Sequence, residues 1–347
     1  MFNSWIYENV IRGEFLIDEG DPFTNINLEK TISKLKARNI FKDVKYETTN
    51  GSEDNLKIID ITVEERPTGE ISAGAGVGTS GGAIAFGVKE NNWLGTGKSV
   101  EFQIDADEES LSGIVSISDP NYDFLGNSLN YFLKNESNDK PTQGYENSVI
   151  SAGIGTSFEQ YKNLKASVGT SFSYDDLRTQ GNASATLKKQ SGTFNELAAN
   201  YGFTYDLRNR AFMPSSGGIT SFSQSLPVYA DKSFITNTFS HSAYKTFTEN
   251  VVGAGKLYIS AINGLGSDDV RLSKRRNLSG KRLRGFEKGK VGPIDGNDHV
   301  GGNYAAALSF EANLPNVFPE NTNIDAGTFL DFGSVWGVDY DKNIDDS

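Results

Sequence analysis

The sequence predicts a mainly β protein: a transmembrane antiparallel β-barrel with about 13 strands of about 16 expected, preceded by a partial α/β module. Three observations predict it. From Pro67 onward apolar and polar residues alternate with a period of two, which turns one face of each strand to hydrocarbon and the other to water. Each alternating run is ~10 residues long, the span of a tilted membrane strand. The composition suits strands and turns, with 37 Gly, 22 Phe and 14 Tyr among 347 residues, and such aromatics serve interfacial belts. Only 37% of residues are hydrophobic, and no run approaches the ~18 to 20 apolar residues of a membrane helix. A barrel needs no such run.

Residues 1–66 read as the small module. Glu8 to Leu16 is a first helix. A second opens at Asn27-Leu28-Glu29, with Leu28, Ile32 and Leu35 on one face and lysines opposite. Strands follow at Val44 to Thr48 and Leu56 to Glu65, joined by a turn at Asn50-Gly51. Two strands make a weak sheet alone, so a further strand before residue 1 is expected to complete it.

Residues 67–347 are expected to form the barrel, without its final strands. Val100, Phe102, Ile104 and Ala106 alternate with Glu101, Gln103 and Asp105. The pattern returns at Leu129 to Leu133, Leu164 to Tyr174, Tyr201 to Leu207, Tyr304 to Ala312 and in a strand over 324–333. A soluble β-sandwich also alternates, but its strands run ~5 to 6 residues, and these sets are rich in Tyr, Phe and small residues.

A formal charge of −12 disfavours nonspecific nucleic-acid binding. Between Arg271 and Lys290, however, nine basic residues stand against Glu287 alone, a local +8. Such a segment is either a solvated loop drawn to surface phosphates or one docked into an acidic interior. There is no cysteine, and His241 and His299 lack zinc spacing, so no metal or cofactor is expected. Gly74-x-Gly76-x-Gly78 superficially suggests a phosphate loop, but it lies within an alternating strand with no helix after it. No catalytic triad emerges either, and an enzyme is not expected. Met1-Phe2-Asn3-Ser4-Trp5 does not begin a signal peptide; the chain is expected to be a fragment truncated at both ends.

Several segments, in order, resemble the BamA-like outer-membrane protein assembly factors of the POTRA (polypeptide-transport-associated) plus β-barrel superfamily. Residues 1–66 resemble the C-terminal part of the last POTRA module. Asn91-Asn92-Trp93-Leu94-Gly95-Thr96-Gly97, Asp119-Pro120-Asn121-Tyr122 and Arg210 to Gly217 are similar to family turns. Leu283-Arg284-Gly285-Phe286 resembles the motif of the long sixth extracellular loop, and Asp331 to Trp336 the strand facing it. The resemblance implies a non-enzymatic insertase of the bacterial outer membrane. Its partners would be unfolded β-barrel clients, accessory lipoproteins and outer-membrane lipid. Related POTRA-barrel exporters (autotransporter assembly or two-partner secretion) and, less closely, a passive porin are the alternatives.

Site residues follow from parity and from the family. If Tyr304, Ala306, Leu308, Phe310 and Ala312 face lipid, Glu311 and Ser309 face the interior; with Ile324, Ala326, Thr328, Leu330 and Phe332 outside, so does Asp331. Arg284 between the two carboxylates would hold the loop, Gly285 would permit close backbone approach, and Phe286 would pack. Gly74, Gly76 and Gly78 weaken what would be the first barrel strand; the resemblance implies a seam where a client strand adds. Glu14 and Glu19, taken as exposed, lie where the family meets a lipoprotein.

Overall fold

The structure is a computed structural model and describes residues 6–53, 55–78, 81–248, 251–314 and 326–344. The chain forms two compact units, one of Met1–Gly74, Ala85–Ile104 and Ile114–Phe132, the other of Ala75–Ile84, Asp105–Gly113 and Leu133–Ser347.

The first unit opens with α1 (Glu8–Arg12), α2 (Asn25–Ala37), β1 (Phe41–Asn50) and β2 (Lys57–Glu65). α2 begins earlier than the expected Asn27, because the Thr24 side chain accepts the Asn27 N–H at 3.3 Å and caps the helix. Its face of Leu28, Ile32 and Leu35 is buried with Ile40, Phe41 and Val44, and Ile59, Ile61 and Val63 of β2 pack on that core. Two expectations need correction. α1 stops at Arg12 rather than Leu16, with Gly13 pressed so closely on the ring of Phe124 that a Cβ there would lie 2.5 Å from it. The β1–β2 connection is not a tight Asn50-Gly51 turn. It is a longer loop closed by the Gly51 N–H on the Leu56 carbonyl at 2.9 Å.

Thirteen strands form one sheet. They are β3 (Gly69–Gly78), β4 (Gly81–Glu90), β5 (Ser99–Asp107), β6 (Ser110–Asp119), β7 (Ser128–Lys140), β8 (Tyr145–Tyr161), β9 (Leu164–Thr179), β10 (Gly192–Asp206), β11 (Gly217–Ala230), β12 (Phe234–Thr248) and β13 (Val251–Gly264), followed beyond a long loop by β16 (Tyr304–Leu314) and β17 (Ala326–Trp336). Neighbours in the sheet are neighbours in sequence, with β3 and β17 at its ends. A short helix, α3 (Ala185–Lys188), joins β9 to β10, and the long loop carries a two-residue hairpin, β14 (Ile294–Asp295) with β15 (Asp298–His299). The last strand was expected over 324–333. It is described from Ala326 and runs three residues further; Ile324 lies outside the described residues.

Antiparallel register propagates one face across the second unit. Asp175 faces Phe194, Asn200 faces Ser225, Thr238 faces Ser260, Tyr258 faces Ala307 and Ser309 faces Asp331. The long loop covers this face. On the other, Phe172 faces Leu197, Phe203 faces Phe222, Leu257 faces Leu308 and Phe310 faces Leu330. Phe172, Leu197, Phe203, Leu308, Phe310 and Leu330 are all exposed. So broad an apolar wall is foreign to a soluble monomer and suits contact with lipid.

Candidate functional site

The site begins with the pleat of β16 and β17. Ala305, Ala307 and Ser309 are buried, whereas Leu308 and Phe310 are exposed. The pairings Ser309 with Asp331 and Glu311 with Phe329 place all four side chains on the loop-covered face. The loop brings Arg284 to them. Its Nε and Nη2 donate to the two oxygens of Asp331 at 2.7 and 2.6 Å, and its backbone N–H adds a third bond at 3.0 Å. Nη2 also reaches Ser309 Oγ at 2.7 Å and Glu311 Oε1 at 3.0 Å. The Ser309 hydroxyl donates a hydrogen bond to Asp331 at 2.6 Å, and Lys256 donates to the other oxygen of Glu311 at 2.6 Å. The guanidinium lies 3.8 Å over the ring of Phe329. A planar fork on a carboxylate is the strong form of the ion pair.

The rest of the motif sits differently from expectation. Gly285 has φ +84° and open space where a Cβ would be. It is needed for a left-handed backbone, not for close approach. Phe286 is exposed rather than packed, because the turn at Gly285 carries it off the wall. Packing comes from Leu278 and Leu283, buried against Ala305, Ala307 and Val335. Close approach belongs instead to Gly333, where a Cβ would lie 2.6 Å from Leu278.

A second fastening was not anticipated. Arg271, 3% exposed, lies 3.2 Å from Glu196 and 3.5 Å from Asp175, with the rings of Phe194 and Phe234 against its guanidinium at 4.7 and 5.4 Å. Ser273 donates to Asp175 at 2.6 Å and Lys274 to Glu196 at 2.9 Å. Burial lowers the pKa of Arg271, and the charges of Asp175 and Glu196 oppose that shift. Nearby, Arg275 pairs with Asp339 at 2.5 Å and lies 4.6 Å over Tyr340. Leu272 and Val300 share a buried cluster with Tyr145, Leu177 and Leu187. Parity could have found Asp175 and Glu196, since each is the inward neighbour of an outward apolar residue, Tyr174 and Leu197. Their pairing with Arg271 carried no signal.

In the first unit, the family-like turns seat the N-terminal module. Asn92 Oδ1 accepts the Gly97 N–H at 2.7 Å, and the Gly97 carbonyl accepts from Arg38 at 2.8 Å. Gly97 has φ +70°, and a Cβ there would collide with Arg38 and Val10. The Tyr7 N–H donates to the Gly95 carbonyl at 3.0 Å. Asn121 donates to the Gly13 carbonyl at 2.9 Å and to Glu14 at 3.2 Å. Glu14, expected on the surface, is therefore a correction. It is 6% exposed and lies 3.2 Å from Arg38, so its carboxylate is occupied within the unit. Burial lowers the Arg38 pKa, and the charge of Glu14 opposes that shift. Glu19 is exposed and bonded to Arg12 at 3.1 Å.

Gly74, Gly76 and Gly78 fall in β3, an end strand of the sheet. Nothing lies within 4 Å of where a Cβ of Gly74 or Gly76 would stand, and Ile71 and Val77 are exposed.

Known proteins resemble the chain in sequence and fold. The chain is 25% identical to the outer membrane protein assembly factor BamA of Neorickettsia risticii, over 97% of its own length and 46% of that protein's, so it spans about half of the curated relative. The crystal structure of Haemophilus ducreyi BamA lacking POTRA domains 1–3 matches with a TM-score of 0.83 at 22% identity, covering 96% of this chain and 70% of that one. CdiB from Acinetobacter baumannii matches with a TM-score of 0.59 at 13% identity, over 97% and 62% of the two chains. The fold is that of an outer-membrane β-barrel, and with the Omp85 superfamily domain matching residues 92–347, this chain belongs to the Omp85 superfamily.

Proposed function

We propose that this chain is the barrel-bearing part of a factor that folds β-barrel proteins and inserts them into the outer membrane. The observation that carries the reading is the graded likeness: a TM-score of 0.83 to a BamA against 0.59 to CdiB. Residues 1–66 are the end of a POTRA module on the periplasmic side, and residues 67–347 are the barrel. The Arg284–Asp331–Glu311 cluster holds the long loop over the interior face. β3 stands at an end of the sheet, and no side chain lies over its backbone at Gly74 or Gly76, so a client strand adds there by β-augmentation. No nucleotide is needed in this scheme, because closing a client barrel satisfies backbone groups that are costly in lipid. Accessory lipoproteins would meet the module through exposed groups such as Glu19, not through Glu14.

The experiment is reconstitution in liposomes with an unfolded β-barrel client, whose folding is followed by its heat-modifiable gel shift. Faster client folding, with a cysteine at Gly76 crosslinking to the client, is the expected result. Ion conductance or export of a soluble substrate, without acceleration of client folding, would replace this reading with the exporter or porin one.

A further inference from the structure

Beside the Arg284 cluster, β12, β13, β16 and the loop line a half-open cavity of about 180 Å³. Its walls include Ser240, Ser242, Lys256 and Tyr258 from the sheet and Lys281 and Arg282 from the loop. Most of the loop's cations have carboxylate partners: Arg271, Lys274, Arg275, Arg284, Lys288 and Lys290 all do. Lys281 and Arg282 have none among the described residues. Arg282 stacks 3.6 Å over Tyr258 with its N–H groups unspent, and the hydroxyls of Ser240 and Ser242 make no hydrogen bond among the described residues. Lys256 has only Glu311, which Arg284 shares. The free groups here are thus donors, and the free charge is positive. That is the complement of an oxyanion. The volume falls below the ~300–1,000 Å³ of sites for drug-sized molecules, which selects a small group over a nucleotide or an oligosaccharide.

We propose that this cavity binds a phosphate-type oxyanion, with Arg282 as the planar donor and Lys281, Lys256 and the two serine hydroxyls completing the shell. Occupancy ties the Lys281–Arg282 stretch to β12 and β13, so the anion acts as another fastening of the loop. The inference stands apart from the insertion reading, since it concerns the resting loop alone.

The test is a calorimetric titration of the protein in an uncharged maltoside detergent. The probes are inorganic phosphate, pyrophosphate and, in a separate arm, short-chain phosphatidic acid. Saturable one-to-one binding is expected, weakened about tenfold by Arg282→Gln and about tenfold again by adding Lys281→Gln, and weakened by salt. Binding of the inorganic ions assigns a free anion; binding of the phosphatidic acid alone, with the same sensitivity to substitution, assigns a lipid headgroup. Absence of saturation by every probe, or a Kd unchanged within twofold in both variants, overturns the proposal. Should Arg282→Gln lose its heat-modifiable gel shift, Lys281→Gln carries the test by itself, because Lys281 is exposed and its loss disturbs no packing.

Discussion

Replacing Asp331 by alanine tests how firmly the loop is held. In the native protein the Asp331 side chain is 2% exposed and accepts bonds from Arg284 N, Nε and Nη2 and from Ser309 Oγ. The substitution leaves Arg284 with Ser309, Glu311 at 3.0 Å and the ring of Phe329. Breaking a buried pair costs about 3–5 kcal/mol, and the surviving partners place this case near the lower end, about 3 kcal/mol. At 1.36 kcal/mol per decade that raises the open population of the loop about 150-fold. Trypsin measures it: basic cleavage sites run from Lys281 to Lys290, and although several of these side chains are exposed, a backbone pinned at Arg284 takes the extended form that a protease needs only once the loop undocks. Where reclosing outpaces cleavage, the cleavage rate tracks that open population. Arg284→Ala should act similarly, and Arg284→Lys should recover only part, because an ammonium cannot fork onto the carboxylate. Cleavage rates within threefold of wild type for both alanine variants would refute the fastening.

Further outcomes are expected elsewhere. Arg271→Ala leaves Asp175 and Glu196 buried without their shared guanidinium and should lower stability by about 3–5 kcal/mol, read as a fall in the temperature of the heat-modifiable gel shift; a change of a degree or less contradicts it. Asn92→Ala removes the acceptor of the Gly97 N–H and should cost about 1 kcal/mol, seen as faster hydrogen exchange in residues 6–66 and unchanged exchange in β12 and β13. Asp298 has its pKa raised, first by burial and then by the charge of Asp295. The folded chain therefore holds that proton more tightly than the unfolded chain. Seating of the β14–β15 hairpin should strengthen as pH falls from neutral towards the ordinary carboxylate range, and Asp298→Asn should abolish the dependence. A pH-independent protease profile in the wild type would contradict this.

Much of the architecture was legible because a membrane strand writes its two environments into alternate residues. Period-two runs located the strands, and parity alone put Ser309, Glu311 and Asp331 on the face where they stand. The helical face Leu28, Ile32 and Leu35 was equally plain from its spacing. Less legible were Glu14, whose partner Arg38 is remote in sequence, and Phe286, whose direction depends on the single left-handed residue before it. The Arg271 cluster was invisible for a similar reason: its cation, its carboxylates and its aromatic faces come from the loop and from β9, β10 and β12.

What the sequence determined by itself is what short-range chemistry controls: strand length, face, turn residues and the excess of positive charge in one loop. Only the tertiary structure decided which carboxylate meets which guanidinium, which glycine clears the path for a leucine, and which cations remain unpaired. The physical reason is range. Pleat and periodicity act over a few residues, whereas ion pairing and close packing depend on sheet register and loop path, which bring together groups as far apart in the chain as Asp175 and Arg271.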